Sequence, residues 1–325
     1  MQKLGFINSS VLIFCIWSLF GCCTLFNIPA PNRNLQEVTL QGTGNDKILV
    51  VPIDGIISDE VPSNIWGMKG DSMIAKTVSM LKKASQDSKI KGVILKIDSP
   101  GGTVTGSDQL YKEVLGFKKQ TGLPIVSLFV KIAASGGYYV AMASDYIVAE
   151  PTNITGSIGV VMQNLNAKEG LEKIGVKDQS IVSGKNKAIG SAFREMTPEQ
   201  QQILQSVVTD LYSRFFEVVT KGRKNLTADQ IRPLADGRIY TAKQAEKNGL
   251  VDKIGYLEDA VTSVMQRPEY KKTDGNSDPQ VIVYTTVKRD DANIYQIKNE
   301  GPVSNGMLDT LSGRFERKFM YLWMP

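Results

Sequence analysis

The stretch "LPIVSLFVKIAASGGYYVAMASDYIVAE" (residues 123–150) decides the fold. "LPIVSLFV" (123–130) reads as a buried strand and "DYIVAE" (145–150) as another. Between them, the small apolar residues after Ser135 read as a helix. The same alternation continues on both sides. "KILVVPIDGIIS" (47–58) is a strand ending at a Gly turn, and a helical pattern follows around 72–85. "KGVILKIDSPGG" (91–102) is a strand running into a glycine loop, with a helix over 107–119. Downstream, "GSIGVVMQ" (156–163) reads as a short fifth strand and "DQSIVSGK" (178–185) as a sixth. Strands alternating with helices at this spacing predict an α/β fold with much parallel pairing.

A long helix is expected over 197–224, with Thr197 as its cap, Pro198 at its first position and Gln200 completing a capping box. Its Ile203, Val207, Leu211 and Phe215 recur every fourth residue and predict a core face. Shorter helices follow at 227–235 and 241–248, and "GLVDKIGYLEDAV" closes the compact region near 268. After a polar stretch, "QVIVYTTV" predicts an edge strand. The tail "FERKFMYLWMP" is aromatic and amphipathic; its sequence leaves open whether it meets a membrane, a neighbour or a cleft.

Ser135 sits between two alanines and two glycines, the setting of an exposed nucleophile that a substrate can approach closely. A serine hydroxyl needs a base, and the chain has no histidine. Its three cysteines, Cys15, Cys22 and Cys23, all precede residue 24. That excludes Cys nucleophiles, disulfides and Cys/His zinc sites from everything after them. No calcium-loop spacing or Walker loop appears, so neither a metal nor a cofactor is expected. A mixed net charge of +5 with no long basic run argues against nucleic acid as a partner.

The amino terminus carries Lys3 and then no charge until Arg33, across "VLIFCIWSLFGCCTLF". This reads as a signal sequence or membrane anchor over residues 1–32, with Lys3 on the cytoplasmic side and the rest exported. "LFGC" also resembles a bacterial lipobox, which makes Cys22 a candidate lipidation site beside the plain membrane-helix reading. The polar stretch 33–46 reads as a linker.

Without histidine the base is Lys or a carboxylate. A neutral amine serves if burial disfavours its ammonium form, and Ser–Lys pairs are an accepted variant of the triad. Lys185 and Lys187, in "VSGKNKAIGS" (182–191), lie in a Gly- and Ser-flanked loop. Ser79 and Lys82 satisfy S-x-x-K, but no S-D-N or K-T-G accompanies them.

"DSPGG" (98–102), "ASGGYYVAMASD" (134–145), "TGSIGV" (155–160), "SGKNKAIGS" (183–191) and "ADGRIYTAKQAEKNGLVD" (235–252) occur in this order. Together they resemble the signal peptide peptidase A family of membrane-anchored Ser–Lys proteases. The resemblance covers residues 47–268, which it makes the protease domain, leaving 269–325 as a carboxyl-terminal extension. It implies the Clp protease/crotonase fold of repeated ββα units. It also implies Ser135 as nucleophile, Lys187 as general base, Ser157 orienting the lysine, and Gly102 N–H as oxyanion donor. Gly136 N–H, next to the nucleophile, is a second donor candidate. Lys185 is left to surface or substrate charge. The implied activity is endopeptidase cleavage of spent signal peptides and other short or unfolded hydrophobic peptides, at the bacterial inner membrane with the domain facing the periplasm or cell exterior. By the same resemblance, the chain forms a ring in which Ser135 and Lys187 of one site come from neighbouring subunits. The rival expectations are an inactive membrane scaffold of the same fold and a crotonase-like acyl-CoA enzyme.

Overall fold

The computed structural model describes residues 35–61, 70–273, 278–286, 293–297 and 319–323. The anchor expected over 1–32, with Cys22, lies outside the described residues. At the centre, β2 (Lys47–Asp54), β3 (Ile90–Ser99), β5 (Ile125–Ala134) and β6 (Tyr146–Ala149) run parallel and adjacent. Their sequences are nearly continuous apolar runs because both faces are covered. One face carries Leu49, Val51, Leu95, Ile97 and Phe129, packed with Leu81 of α1 (Met73–Ala84) and Leu110 and Val114 of α2 (Val104–Thr121). The other carries Ile48, Val50, Ile94, Val126 and Leu128, packed with the last helix. Cutting a core side chain such as Leu128 to Ala costs roughly 2–5 kcal/mol.

The strand after β3 is short: β4 (Gly101–Thr103) leads into α2, whose N-cap Thr103 accepts from Gly106 N–H. β5 ends at Ser135, and α3 (Gly136–Ala141) begins there. β7 (Ile154–Gly156) pairs with the end of β5 and with β8 (Ile239–Thr241). Beyond β7 an arm over 162–196 carries α4 (Lys168–Lys173), and α5 (Pro198–Gly222) follows it. α6 (Ala228–Ile231), α7 (Ala242–Lys247), β9 (Lys253–Ile254) and α8 (Leu257–Met265) complete the second half. The described residues therefore form an α/β fold with a mixed, mostly parallel sheet. None of their helices is long and apolar enough to cross a membrane.

Six local expectations are corrected. Residues 36–41, inside the stretch expected to be a linker, form β1 (Gln36–Gln41), because Val38 and its neighbours find an antiparallel partner in β10 (Gln280–Thr285). β10 is also not an edge: it lies between β1 and β2 and runs parallel to β2. The sheet thus reaches past residue 268, the expected limit of the compact region. The fifth strand is earlier than expected, at 154–156, and residues 178–185 form no strand. Isolated β-propensity in "DQSIVSGK" has no neighbouring strand to pair with. The capping box of Thr197 and Gln200 is present, but the core stripe of α5 is buried only in its second half. Phe215, Val218 and Val219 are buried, whereas Ile203 is 37% exposed.

Candidate active site

Ser135 is reached at the end of β5, where the chain turns sharply into α3. Its φ is +52° and ψ −113°, a strained conformation for a side chain with a Cβ. It is held there from both sides. Ser135 N–H donates to Gly156 O at 2.8 Å, and Ser135 O accepts from Tyr139 N–H at 2.9 Å. The next residue on the facing strand, Ser157, has φ +50°, and its N–H donates to Arg238 O at 2.7 Å. Among the described residues these two serines are the only non-glycine residues at positive φ. Ser135 is 1% exposed and Ser157 9% exposed.

The glycine loop of "DSPGG" stands against the same turn. Ser99 Oγ donates to Gly55 O at 2.6 Å and accepts from Gly101 N–H at 3.1 Å, bracing the loop. Ile57 N–H donates to Gly101 O at 2.8 Å, and Thr103 N–H to Ile57 O at 2.9 Å. Glycine is required twice. Gly101 has φ +106°, and a Cβ on it would stand 2.7 Å from Gly136 N. A Cβ on Gly102 would stand 1.9 Å from Ile57 O. A Cβ on Gly136 would meet Gly102 N at 3.1 Å and the buried hydroxyl of Ser107 at 2.4 Å. The two expected donor residues, Gly102 and Gly136, are therefore immediate neighbours beside Ser135.

Behind them, Tyr139 is wholly buried and stacks edge-on against Tyr111 at 5.4 Å. Burial pushes the Tyr139 hydroxyl well above the usual phenol range, and its hydrogen bond to Asp108 adds to that. Tyr139 is thus a neutral donor, not a base for Ser135. Tyr138 is likewise held neutral by burial, its hydroxyl donating to Leu250 O at 2.8 Å.

Lys187 lies elsewhere. It is exposed in a turn of the arm, its N–H donating to Gly184 O at 3.0 Å. No hydrogen bond joins it to Ser135 within the chain, and it enters none of the ion pairs formed among the described residues. Lys185 pairs with Glu199 at 2.7 Å on the surface. Ser79, of the rejected S-x-x-K pattern, donates to Ala75 O at 2.8 Å as an ordinary residue of α1. Among the described residues no cluster of His, Cys, Asp or Glu could hold a metal ion.

Structural roles absent from the sequence reading fall to Ser99, Ile57 and the Arg238 carbonyl. Ser99 and Arg238 lie in the quoted motifs "DSPGG" and "ADGRIY", but composition and spacing give such backbone braces no signal.

The sequence profile described as Peptidase family S49 matches residues 117–271. The chain is 40% identical over 243 residues to a protein of Enterococcus faecium named "Putative signal peptide peptidase SppA", covering 75% of this chain and 69% of that one. It is 33% identical over 280 residues to Protease 4 of Haemophilus influenzae, covering 86% of this chain and 42% of that one. It is 32% identical over 226 residues to the chloroplastic serine protease SPPA of Arabidopsis thaliana, covering 69% of this chain and 33% of that one. These matches take in the Ser135 turn, the glycine-flanked strands around it and the motifs that follow, and the chain belongs to peptidase family S49, the signal peptide peptidase A family of serine peptidases.

Proposed function

We propose that the protein is a membrane-associated endopeptidase in which Ser135 attacks the peptide carbonyl and Lys187 of a neighbouring subunit accepts the serine proton. The observation that carries the Ser135 half is the pair of strained serines. Backbone strain persists only where the surroundings over-determine it, and it clusters where a side chain must be aimed. Here it aims Ser135 and Ser157, the nucleophile and the residue assigned to orient the lysine amine.

Attack by Ser135 Oγ forms a tetrahedral oxyanion, and its collapse breaks the C–N bond as the lysine returns the proton to the leaving amine, which leaves an acyl-enzyme. Water, deprotonated by the lysine amine, then hydrolyses the ester and frees Ser135. Gly102 and Gly136 N–H groups receive the oxyanion. Donors fixed before reaction stabilise it by about 3 kcal/mol each. The adjacency of those two residues beside Ser135 supports this role.

The shared site is supported by the exposure of Lys187. An ammonium in open water gains nothing by losing its proton, so a catalytic lysine has to be desolvated. The arm also carries apolar side chains in water: Ile181 is fully exposed and Ile174 is 73% exposed. A neighbour that covers this face buries both Lys187 and these side chains. A closed ring of heterologous interfaces repeats that contact for every subunit. The family's Clp protease/crotonase resemblance is consistent with such rings.

The substrates in this reading are spent signal peptides and other short, extended hydrophobic peptides. With an apolar amino terminus behind Lys3, the domain faces the periplasm or cell exterior from the bacterial inner membrane, held by a helix or by a lipid on Cys22. The decisive experiment mixes Ser135→Ala subunits with Lys187→Ala subunits after dissociation and reassembly. Random mixing leaves about a quarter of interfaces with both residues, and activity returns to about that fraction. A mixture that reassembles and stays dead overturns the shared site. Fluorophosphonate labelling that requires Ser135 excludes the inactive scaffold.

A further inference from the structure

Serines inside the helices of this protein share a habit. Ser79 in α1, Ser213 in α5 and Ser263 in α8 each donate to the carbonyl four residues back, at 2.8, 2.9 and 2.7 Å. That bond is the usual outlet for a hydroxyl within a helix. Ser107, in the first turn of α2, departs from it. It is wholly buried, and its hydroxyl has no hydrogen-bond partner among the described residues, the Thr103 carbonyl four residues back included.

A buried hydroxyl without a partner is destabilising, because it has left water and gained no bond in return. Thr77 in α1 and Asn153 just before β7 also hold unpaired buried oxygens. What sets Ser107 apart is where its oxygen stands. A Cβ built on Gly136 would lie 2.4 Å from it, 3.1 Å from Gly101 Cα and 3.1 Å from Gly102 N. The hydrogen that Gly136 carries in place of a Cβ therefore points at the Ser107 oxygen. Such Cα–H···O contacts are weak, so this one serves as a spacer rather than a bond.

The spacer is carried on the same rigid piece as Gly102. Thr103 follows Gly102 directly, caps α2 by accepting from Gly106 N–H at 3.0 Å, and donates its own N–H to Ile57 O at 2.9 Å. Gly136 belongs to the other piece, the turn that begins at the strained Ser135 with φ +52°. The Ser107 oxygen lies where the two pieces meet. A hydroxyl turned back to the Thr103 carbonyl would be satisfied and would leave that seat empty.

We propose that Ser107 is a positioning residue of the oxyanion site: its unpaired hydroxyl oxygen is the stop against which Gly136 rests, and it sets the spacing of the Gly136 and Gly102 N–H groups. This rests on the reading of those two groups as the oxyanion donors. Ser107 touches no substrate and acts through Gly136. Strain at Ser135 persists only because its surroundings hold it, and the stop is part of that holding. Donors that converge on one oxygen stabilise the tetrahedral species only while their spacing is kept. The effect therefore falls on the reacting species and not on the bound peptide.

The test looks for a split that a packing role would not produce, in full chains in detergent. Ser107→Ala removes an unpaired hydroxyl, so the chain should unfold at an equal or higher denaturant concentration than the parent. Its kcat on a fluorogenic hydrophobic peptide should fall by about tenfold or more. Binding of the same peptide, measured with Ser135→Ala in both chains, should change by less than about twofold. Ser263→Ala is the control: it loses a buried hydroxyl that is bonded, so it should unfold earlier and keep its kcat. A smaller loss of kcat in Ser107→Ala overturns the proposal. So does peptide binding that weakens in step with kcat. A Ser107→Ala chain that unfolds earlier than the parent, or fails to fold, overturns it too, since the hydroxyl is then an ordinary packing group. Gly101→Ala tests the underlying reading separately. If it alone loses kcat, the donors stand and only the role of Ser107 falls; if both variants keep full kcat, the donor assignment has failed as well.

Discussion

The turn that carries Ser135 and the arm that carries Lys187 belong to one chain and are built in opposite ways. The turn closes a parallel sheet: its residues are buried, its backbone is strained, and each strained residue is tied by a short backbone hydrogen bond to a neighbouring strand. The arm is mostly exposed, carries one short helix, and keeps its charges in water. A nucleophile and an oxyanion hole must be fixed before substrate arrives, and the sheet supplies that rigidity. A lysine base needs desolvation, which the arm does not supply within the chain. The comparison teaches that the turn around Ser135 is fixed within the chain, whereas Lys187 stays exposed to water in it.

The largest effect tests the comparison directly. Ser135→Ala and Lys187→Ala should each lower kcat/KM by roughly a thousandfold or more, while Lys185→Ala keeps most activity. Equal losses for the two lysines, measured by hydrolysis of a fluorogenic hydrophobic peptide, would break the assignment of the arm's catalytic residue.

Next comes a pair of glycines. Gly101→Ala meets backbone within 2 Å at φ +106°, and kcat/KM should fall at least a hundredfold as the donor loop shifts. Gly175, in the arm at φ +79°, has no atom near its missing Cβ. Gly175→Ala should cost only about 1–2 kcal/mol in backbone strain, read by denaturant unfolding, with activity per folded molecule unchanged.

A buried ion pair helps to pin the second half of the fold. Arg223 is 4% exposed and holds Asp252 through two hydrogen bonds of 2.9 and 2.6 Å, while Asp252 also accepts from Ile147 N–H at 2.8 Å. Arg223→Ala leaves that carboxylate unpaired and should cost about 3 kcal/mol. A change under 1 kcal/mol in chemical denaturation would show that water replaces the pair.

The smallest effect belongs to the arm. The Arg194 side chain, with the Ser180 hydroxyl and N–H, holds the Asp178 carboxyl at about 2, below its ordinary 3.8. A carboxyl lowered on folding contributes stability above its unfolded value and loses it as pH falls. The arm should therefore keep its structure from neutral pH down to about 4 and loosen only between there and about 2. Loss of arm protection in hydrogen exchange at pH 5–6 would contradict this.

Much of this was legible in the residues themselves. The strands of the central sheet announce themselves as apolar runs because a parallel sheet hides both faces, and Thr197 with Gln200 marks a helix start by local chemistry alone. The candidate nucleophile was legible too, since a serine among alanines and glycines after a buried strand is locally unusual. The stripe of Ile203 and Val207 misled because periodicity reports that an apolar face exists, not what covers it. "QVIVYTTV" could be read as a strand but not as an inner one, for its partners, β1 and β2, lie more than two hundred residues earlier.

The sequence by itself determined the α/β class, the chemistry available without histidine, and the motifs that mark the family. Each is a matter of residue type and short-range order. Only the tertiary structure decided that Ser135 and Ser157 share a strained turn and that Gly101, Gly102 and Gly136 converge on it. Those are contacts between segments far apart in the chain, fixed by how the sheet stacks its strands, and no local pattern encodes them. The exposure of Lys187 was decided there as well, because burial is a property of what surrounds a side chain.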